Sequence, residues 1–294
     1  MNQYISPRNK LFSHLDRLAL IQQGKTPPPV NIEIDLSNRC SLGCEWCHFA
    51  YTHTRGPLAS KHKERSPGGD LMDNELVLKI LDELERAGVK SVTWSGGGEP
   101  TLHPSFDAII AYASELTGLR QGLYTNGAHI DELRAELLKR HLEWVYISLD
   151  AADAVSYKRR KGVDKFDHVC RTIKKITDYQ GRAVVGVGFL LDQENWNSIE
   201  RMAGLGLDLG ADYVQFRPIV YYDQDNPGQK NGNDKWIEYH FNSRLSVLQA
   251  KYKDRLIVDN SRFRMYKNWE GHGYSTCLWS VLQTVITPNG KVWA

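Results

Sequence analysis

Three cysteines lie close together at Cys40, Cys44 and Cys47, in the spacing Cys-x3-Cys-x2-Cys. A strand-like segment, residues 30–36, comes directly before them. Three thiolates on one loop suit a soft metal, and in particular an iron–sulfur cubane. A four-iron cluster held by three cysteines leaves one iron open to a small molecule, much as a catalytic metal keeps an open coordination position. The spacing therefore predicts an iron–sulfur site that accepts an external ligand.

Two other interpretations of these cysteines are a zinc site and a disulfide framework. Cys-x2-Cys is a common zinc half-site, and His48 or His53 could supply a fourth ligand, so zinc stays open at this point. Disulfides are disfavoured because five cysteines in 294 residues, without a secretory signal, indicate a reducing compartment.

A glycine-rich turn, residues 95–100, carries Gly96, Gly97 and Gly98 followed by Glu99. Glycines let the backbone approach a ligand and leave amide groups free to bind it, although a tight turn alone would also use them. The spacing fits neither a phosphate loop nor the dinucleotide fingerprint. An acid directly after the glycines suits a cationic group, such as an ammonium, better than a phosphate.

Further polar or aromatic residues lie at predicted strand ends or inside the cysteine loop. Ser148 and Asp150 are two residues apart, so on a strand they would point to one face. A carboxylate there can bind ribose hydroxyls, but it can equally cap a turn or helix. Trp46 could stack on a purine or anchor the cysteine loop. Asn126 follows another strand.

Strand-like and helix-like segments alternate along the chain and must position these residues. Strands are predicted at 30–36, 91–94, 120–125, 144–149, 183–190 and 213–217. Helices are predicted at 71–87, 105–116, 129–141, 165–179, 195–209 and 234–252. Such alternation indicates parallel strands joined by right-handed crossovers, in an open sheet or a barrel. The residues described above would then share the carboxyl-end rim, where these folds place their sites.

In these motifs the chain resembles the radical S-adenosylmethionine (radical SAM) enzymes. The resemblance rests on the three cysteines, with an aromatic residue before the last, and on Gly-Gly-Glu after the second strand; it runs from about Val30 to Arg217. It implies an α/β fold, a partial (β/α)6 TIM-like barrel with a short C-terminal extension. In that family S-adenosylmethionine (SAM) chelates the open iron, and reductive cleavage gives a 5′-deoxyadenosyl radical that abstracts hydrogen from a substrate. A flavodoxin- or ferredoxin-type electron donor is implied as well.

The resemblance also implies a role for each residue of the rim. Cys40, Cys44 and Cys47 would hold a [4Fe-4S] cluster. Gly97, Gly98 and Glu99 would meet the methionine amino group, and Ser148 and Asp150 the ribose or carboxylate. Trp46 and the strand containing Gly188 would flank the adenine, and Asn126 would belong to the same cofactor site. Arg159 or Arg160 could reach the methionine carboxylate.

The chain divides into a helical segment and linker (1–29), the core (30–220) and a C-terminal region (221–294). In the last region, Cys277 and the hairpin-like segment 284–293 resemble the opening of a SPASM or twitch extension, which binds auxiliary iron–sulfur clusters. Twelve residues separate Cys277 from Gly290, and the chain ends where a second cysteine would follow. We therefore expect a truncated auxiliary domain with Cys277 as a possible cluster ligand; a buried structural thiol is the alternative.

Composition bounds the function classes. The chain is 41% apolar and 24% charged, which is ordinary for a globular protein, and it has no apolar run of the ~20 residues a membrane span needs. We expect a soluble cytoplasmic protein without a membrane partner. A net charge of +2 gives no evidence for nucleic-acid binding.

The substrate is the least determined feature. Arg217, Tyr221, Tyr222 and His103 are candidates for holding a polar substrate, although each could be structural. The resemblance favours a small polar molecule, such as a sugar or aminocyclitol that is dehydrogenated or epimerised. A peptide-modifying maturase is the alternative. A different class also stays open, namely a non-catalytic iron–sulfur or zinc-binding protein.

Overall fold

The structure is a computed structural model that describes residues 11–47, 70–192, 194–219, 234–258 and 277–293. The strands in these ranges are β1 (Asn31–Asp35), β2 (Ser91–Ser95), β3 (Arg120–Thr125), β4 (Trp144–Ser148), β5 (Val184–Leu191), β6 (Tyr213–Pro218), β7 (Leu256–Val258), β8 (Gln283–Ile286) and β9 (Val292–Trp293). The α-helices are α1 (Leu15–Gln22), α2 (Asn74–Arg86), α3 (Phe106–Glu115), α4 (Glu132–His141), α5 (Ala154–Lys161), α6 (Phe166–Asp178), α7 (Ile199–Asp208) and α8 (Asp234–Tyr252). Short 3-10 turns join several of these elements.

The described strands form one sheet in the order β7-β6-β5-β4-β3-β2-β1-β8-β9. Neighbouring strands from β7 through β8 run parallel, and only β8 and β9 pair antiparallel. The predicted α/β class and the six repeats of strand and helix are therefore confirmed, with boundaries that differ by a few residues. Parallel pairing follows from the crossover helices, since a tight hairpin can join only antiparallel strands.

Two elements in the described ranges, helix α5 and strand β7, were not predicted. Helix α5 follows β4. Its N-cap is Asp153, whose carboxylate accepts a hydrogen bond from the Ser156 backbone N–H at 2.9 Å, and its C-cap is Gly162, which has a φ of 73°. Strand β7 extends the sheet beyond β6. The predicted C-terminal hairpin is present as β8 and β9, and β8 pairs with β1.

The two faces of the sheet differ in chemistry because side chains alternate along each strand. One face is apolar and packs against the helices to form the core, with Ile34, Trp94, Ile147, Val187 and Phe216 all fully buried. The other face, called the open face below, carries polar or aromatic side chains: Glu33, Asp35, Thr93, Ser95, Tyr124, Trp144, Tyr146, Ser148, Gln215 and Arg217. The sequence thus builds a conventional core on one side and a polar surface on the other.

None of the helices in the described ranges combines the length and apolar character that a membrane crossing requires. His48, His53, Tyr221 and Tyr222 lie outside the described residues, so the zinc and substrate roles considered for them stay predictions.

Candidate functional site

The cysteine loop, residues 36–47, leads out of β1 and is held by the C-terminal end of α5. The Gly43 backbone N–H donates to the Lys161 carbonyl at 2.9 Å, and the Glu45 N–H donates to the Arg160 carbonyl at 3.3 Å. A Cβ atom at Gly162 would stand 3.2 Å from the Gly43 carbonyl oxygen, so a glycine keeps this contact open. A helix absent from the sequence prediction therefore supports the loop that carries the cysteines.

Two cations of α5 also fix Trp46 and the loop. The Arg160 guanidinium carbon lies 4.5 Å from the centroid of the Trp46 ring, and the Lys161 ammonium 5.4 Å from it. Arg160 is fully buried and pairs with Asp192 at 2.9 Å and with Glu45 at 3.3 Å. Trp46 thus anchors the loop through cation–π contacts, the structural alternative that the sequence left open. Arg159 is exposed instead and pairs with Glu194 at 2.9 Å.

The glycine turn packs directly against the start of the cysteine loop. A Cβ atom at Gly98 would lie 2.3 Å from the Arg39 carbonyl oxygen and 2.6 Å from backbone atoms of Asn38 and Ser37. The Gly97 N–H donates to Asp35 Oδ2 at 3.2 Å, which ties the turn to the end of β1. The glycines were predicted to let the backbone approach a ligand; in the structure, Gly98 lets the glycine turn approach the backbone of the cysteine loop.

Glu99 is buried and its carboxylate is already occupied by protein donors. Oε1 accepts from the hydroxyls of Thr101 at 2.7 Å and Thr125 at 2.6 Å and from the Thr101 N–H at 3.2 Å; Oε2 accepts from the Asn126 N–H at 2.8 Å. The Asn126 side-chain amide lies 3.8 Å from the Cys40 sulfur. Glu99 and Asn126 therefore connect the ends of β2 and β3 to the first cysteine, while the predicted contact of Glu99 with an amino group stays a prediction.

The expectation that Ser148 and Asp150 share a strand face was wrong. Strand β4 ends at Ser148, and Asp150 lies beyond it with a φ of 59°, a left-handed conformation that is rare outside glycine. This turn directs the buried carboxylate to the Lys161 ammonium at 2.5 Å and to the Leu190 backbone N–H at 2.7 Å. Asp150 therefore joins β4, α5 and β5, and its predicted ribose contact stays a prediction.

Aromatic side chains cover the glycines of β5 on the open face. A Cβ atom at Gly188 would stand 1.8 Å from the Tyr146 hydroxyl oxygen, so the absence of a side chain makes room for this tyrosine. The Arg217 guanidinium carbon lies 4.9 Å from the Tyr146 ring centroid. Burial raises the pKa of Tyr146 to about 12, which keeps its hydroxyl neutral. The predicted adenine contact at Gly188 is untested, and Tyr146 occupies the space beside this glycine.

None of the three loop cysteines forms a disulfide, and all three are of intermediate exposure, which suits a site open to an added group. Burial, with the negative charge of Glu99 next in effect, raises the pKa of Cys40 to about 12. Burial also raises the pKa of Cys44, and the Lys161 charge opposes that shift. Thiols in such surroundings become thiolates when a metal binds them, and the donor set fits an iron–sulfur cluster.

No group of three His, Cys, Asp or Glu side chains within the described ranges is gathered closely enough to hold a single metal ion. Cysteines that bind different irons of one cluster need not converge in that way, so this finding does not bear on a cluster. Cys277 is exposed, and the auxiliary role proposed for it stays a prediction. His103 is buried, with Nε2 2.8 Å from the Met72 carbonyl oxygen, which is a structural position.

Sequence reasoning missed Lys161, Asp192 and the two acids of β1, Glu33 and Asp35. The two acids could have been predicted from the sequence. Polar residues alternate with isoleucines in the segment Asn31–Asp35, and this alternation predicts a strand with one polar face. The Lys161–Asp150 and Arg160–Asp192 ion pairs could not have been predicted, because a local sequence pattern does not indicate which distant acid a cation will pair with.

Comparison with known proteins identifies related sequences. The family model of the radical SAM superfamily matches residues 34–206. The chain is 29% identical over 186 residues to the tungsten-containing aldehyde ferredoxin oxidoreductase cofactor-modifying protein of Pyrococcus furiosus, covering 61% of this chain and 48% of that protein. It is 33% identical over 154 residues to a probable GTP 3′,8-cyclase of Pyrococcus abyssi, covering 51% and 44% respectively. The chain thus spans about half the length of the curated relatives it matches.

Solved structures share the fold. Streptococcus suis SuiB, solved with S-adenosylmethionine, aligns with a TM-score of 0.70 at 16% identity, covering 99% of this chain and 66% of SuiB. The anSMEcpe protein with bound AdoMet aligns with a TM-score of 0.65 at 16% identity, covering 90% and 74%. At these identities the likeness concerns the fold, and it agrees with the partial barrel expected from the sequence.

Proposed function

The chain belongs to the radical SAM superfamily, and on that premise we propose that it uses a [4Fe-4S] cluster and SAM to abstract a hydrogen atom from a small polar substrate. These two cofactors are those of the superfamily. When bound together they supply a 5′-deoxyadenosyl radical. The observation that carries the proposal is the position of three cysteines, none of them in a disulfide, on one loop that leaves β1 and packs against the glycine turn after β2.

The residues proposed to hold the cluster are Cys40, Cys44 and Cys47. The chain supports them from two sides: Asn126 approaches the Cys40 sulfur, and the last turn of α5 binds the backbone at Gly43. These contacts orient the loop before any group binds, so less of the binding free energy has to order it. The nearby Glu99 carboxylate is not proposed as a cluster ligand, because both of its oxygens already accept hydrogen bonds from the protein.

We propose the open face of the sheet beside this loop as the place for SAM and substrate. Its polar residues offer hydrogen bonds, and Arg217 offers a charge next to the Tyr146 ring. Parallel α/β folds bind ligands at the carboxyl ends of their strands, which is where the cysteine loop and the glycine turn lie. In this proposal Ser148 and the glycine turn contact the cofactor, and Arg159 remains a candidate for its carboxylate.

A sugar- or aminocyclitol-like substrate is the first candidate, supported by the polar open face. A peptide substrate is the second, because SuiB, with which the fold is shared, has been solved with its precursor peptide. The two are separable by incubating the enzyme with deuterium-labelled aminocyclitols and with labelled peptides. Deuterium in 5′-deoxyadenosine identifies the class that donates hydrogen. A flavodoxin- or ferredoxin-type electron donor and a cytoplasmic location are parts of the same proposal.

The central test is anaerobic reconstitution with iron and sulfide, followed by dithionite and SAM. We expect about four irons per chain, the number in one cubane, and formation of 5′-deoxyadenosine. Cys44→Ala should lose both. Cys170→Ala is the matched control, since Cys170 lies on α6 and packs against the core, and it should retain both. Zinc in the purified protein together with no 5′-deoxyadenosine would show that the radical assignment is wrong.

A further inference from the structure

Asp35 differs from the other buried carboxylates that the structure describes. Asp150 is paired with Lys161, Asp192 with Arg160, and Glu99 accepts four hydrogen bonds. Asp35 is only 5% exposed, and its Oδ1 is shielded from solvent with no hydrogen-bond partner among the described residues. Buried polar atoms are nearly always paired, so an unpaired carboxylate oxygen indicates a missing donor.

Glu33 adds a second carboxylate to the same strand face, two residues before Asp35. The side chain of Ser95 on β2 hydrogen-bonds to Glu33, and no Lys or Arg among the described residues compensates either acid. Burial and the neighbouring Glu33 charge together raise the pKa of Asp35 to about 7, although the Gly97 N–H opposes the shift. Among the described residues these two neighbouring acids thus have no cation beside them, whereas Asp150 and Asp192 each pair with one.

The position of the pair is central to the open face. Strand β1 lies between β2 and β8, with Glu33 opposite Thr93 and Val285 in the two registers. Asp35 lies at the carboxyl end of β1, where its Cβ would be 3.4 Å from a Cβ added at Gly96 of the glycine turn. Five strands away on the same face, the Nε of Arg217 is also buried, and no described residue hydrogen-bonds to it. One face of the sheet therefore carries both an unpaired buried acceptor and an unpaired buried donor, as far as the described residues show.

We propose that Asp35, with Glu33 behind it, receives a primary ammonium group at the open face of the sheet. An ammonium carries a compact charge with three donors, which suits one unpaired oxygen and a second acid nearby. A metal ion fits less well, because no third His, Cys, Asp or Glu joins the pair among the described residues. The inference rests on the proposed function, which brings up to two amines to this face, that of SAM and one on the substrate.

The test uses the reconstituted holoenzyme and the substitution Asp35→Asn, which keeps the side-chain shape. One arm measures the dissociation constants of SAM and of its analogue without the amino group. The other arm titrates propylamine and propanol into the SAM-loaded enzyme and follows binding by saturation-transfer NMR. Glu83→Gln, on the exposed side of α2, is the matched control. Glu33→Gln is a second variant that leaves the Asp35 carboxylate in place.

If the receptor binds the amine of SAM, Asp35→Asn weakens SAM binding about 10- to 100-fold and leaves the analogue unchanged. If it binds a substrate amine, SAM binding is unchanged and the preference for propylamine over propanol is lost. In either case Glu33→Gln gives a smaller effect of the same sign and Glu83→Gln none.

Equal weakening of SAM and its analogue, or no effect of Asp35→Asn in both arms, would overturn the proposal. Failure of the proposed function itself is recognised separately, as absence of the cluster in the wild-type enzyme. The amine arm is then run on the cluster-free protein, and a propylamine preference that depends on Asp35 supports the receptor while its absence overturns it.

Discussion

Replacing Gly98 with alanine tests whether the glycine turn sets the position of the cysteines. The added Cβ would lie 2.3 Å from the Arg39 carbonyl oxygen, whereas ordinary contacts begin at 3.4 Å, so the two backbones must separate by about 1.1 Å. The atoms in the way are backbone atoms of the residues directly before Cys40, and no side-chain rotation relieves the contact. The displacement must therefore move the loop, the turn or both.

The size of the effect follows from these contacts. Overpacking of this kind costs about 1–3 kcal/mol. The Glu99 N–H donates to the Arg39 carbonyl at 2.7 Å, and losing that bond adds about 1 kcal/mol. We expect Gly98→Ala to lower the free energy of unfolding by about 2–4 kcal/mol. Since Arg39 precedes Cys40, the variant should also bind less iron after reconstitution.

Urea denaturation of the metal-free, reduced protein measures the stability, and iron and sulfide analysis after anaerobic reconstitution measures the site. Gly204→Ala is the matched control, because a Cβ on that α7 glycine meets no atom within 4 Å. It should stabilise the protein by about 1 kcal/mol through helix propensity and leave the iron content unchanged. A Gly98→Ala protein with wild-type stability and full iron content would refute the reasoning.

Two further perturbations test the buried charges. The pKa of Asp35 is raised from 3.8 to about 7 in the folded protein. Between these two pH values the folded protein keeps a proton that the unfolded chain loses. The free energy of unfolding therefore falls as pH rises through that window, by about 4 kcal/mol in total. The stability advantage of Asp35→Asn over wild type should therefore grow between about pH 4 and pH 7 and then level off in urea titrations; a pH-independent difference would contradict this. Lys161→Met removes the partner of Asp150, which lies 2.5 Å away, and should destabilise the protein by about 3–5 kcal/mol in the same assay. Adding Asp150→Asn should recover part of the loss, and a single-variant effect below about 1 kcal/mol would show that the pair is not a structural one.

Much of the fold was predictable because its signals are local. The alternation of apolar segments gave the strands β1–β6 and most of the helices, since a strand or helix shows its buried face within a few residues. Helix α5 was missed: five of its eight residues are polar or charged, and two of its cations, Arg160 and Lys161, are buried by partners outside the helix. From a local sequence pattern, charged residues of this kind are predicted to be exposed to solvent.

The candidate site shows the same division. The cysteine spacing and the glycine turn are contiguous motifs, so they were visible in the sequence, and the topology of parallel strands predicted that they would meet at one edge. The contacts of the individual side chains were not visible. Trp46 lies against Arg160 and Lys161, and the Glu99 carboxylate is filled by Thr101, Thr125 and Asn126.

The sequence alone determined the superfamily motifs, the α/β class and the loop that carries three thiols, because each depends on residues a few positions apart. Only the tertiary structure decided which acids are paired: Asp150 contacts a lysine eleven residues away and a backbone N–H forty residues away. Within the described part of the chain, Asp35 has neither a cation nor a donor for its Oδ1. The physical reason is that burial removes water as a partner, so the state of a carboxylate depends on whichever groups the packed chain brings beside it.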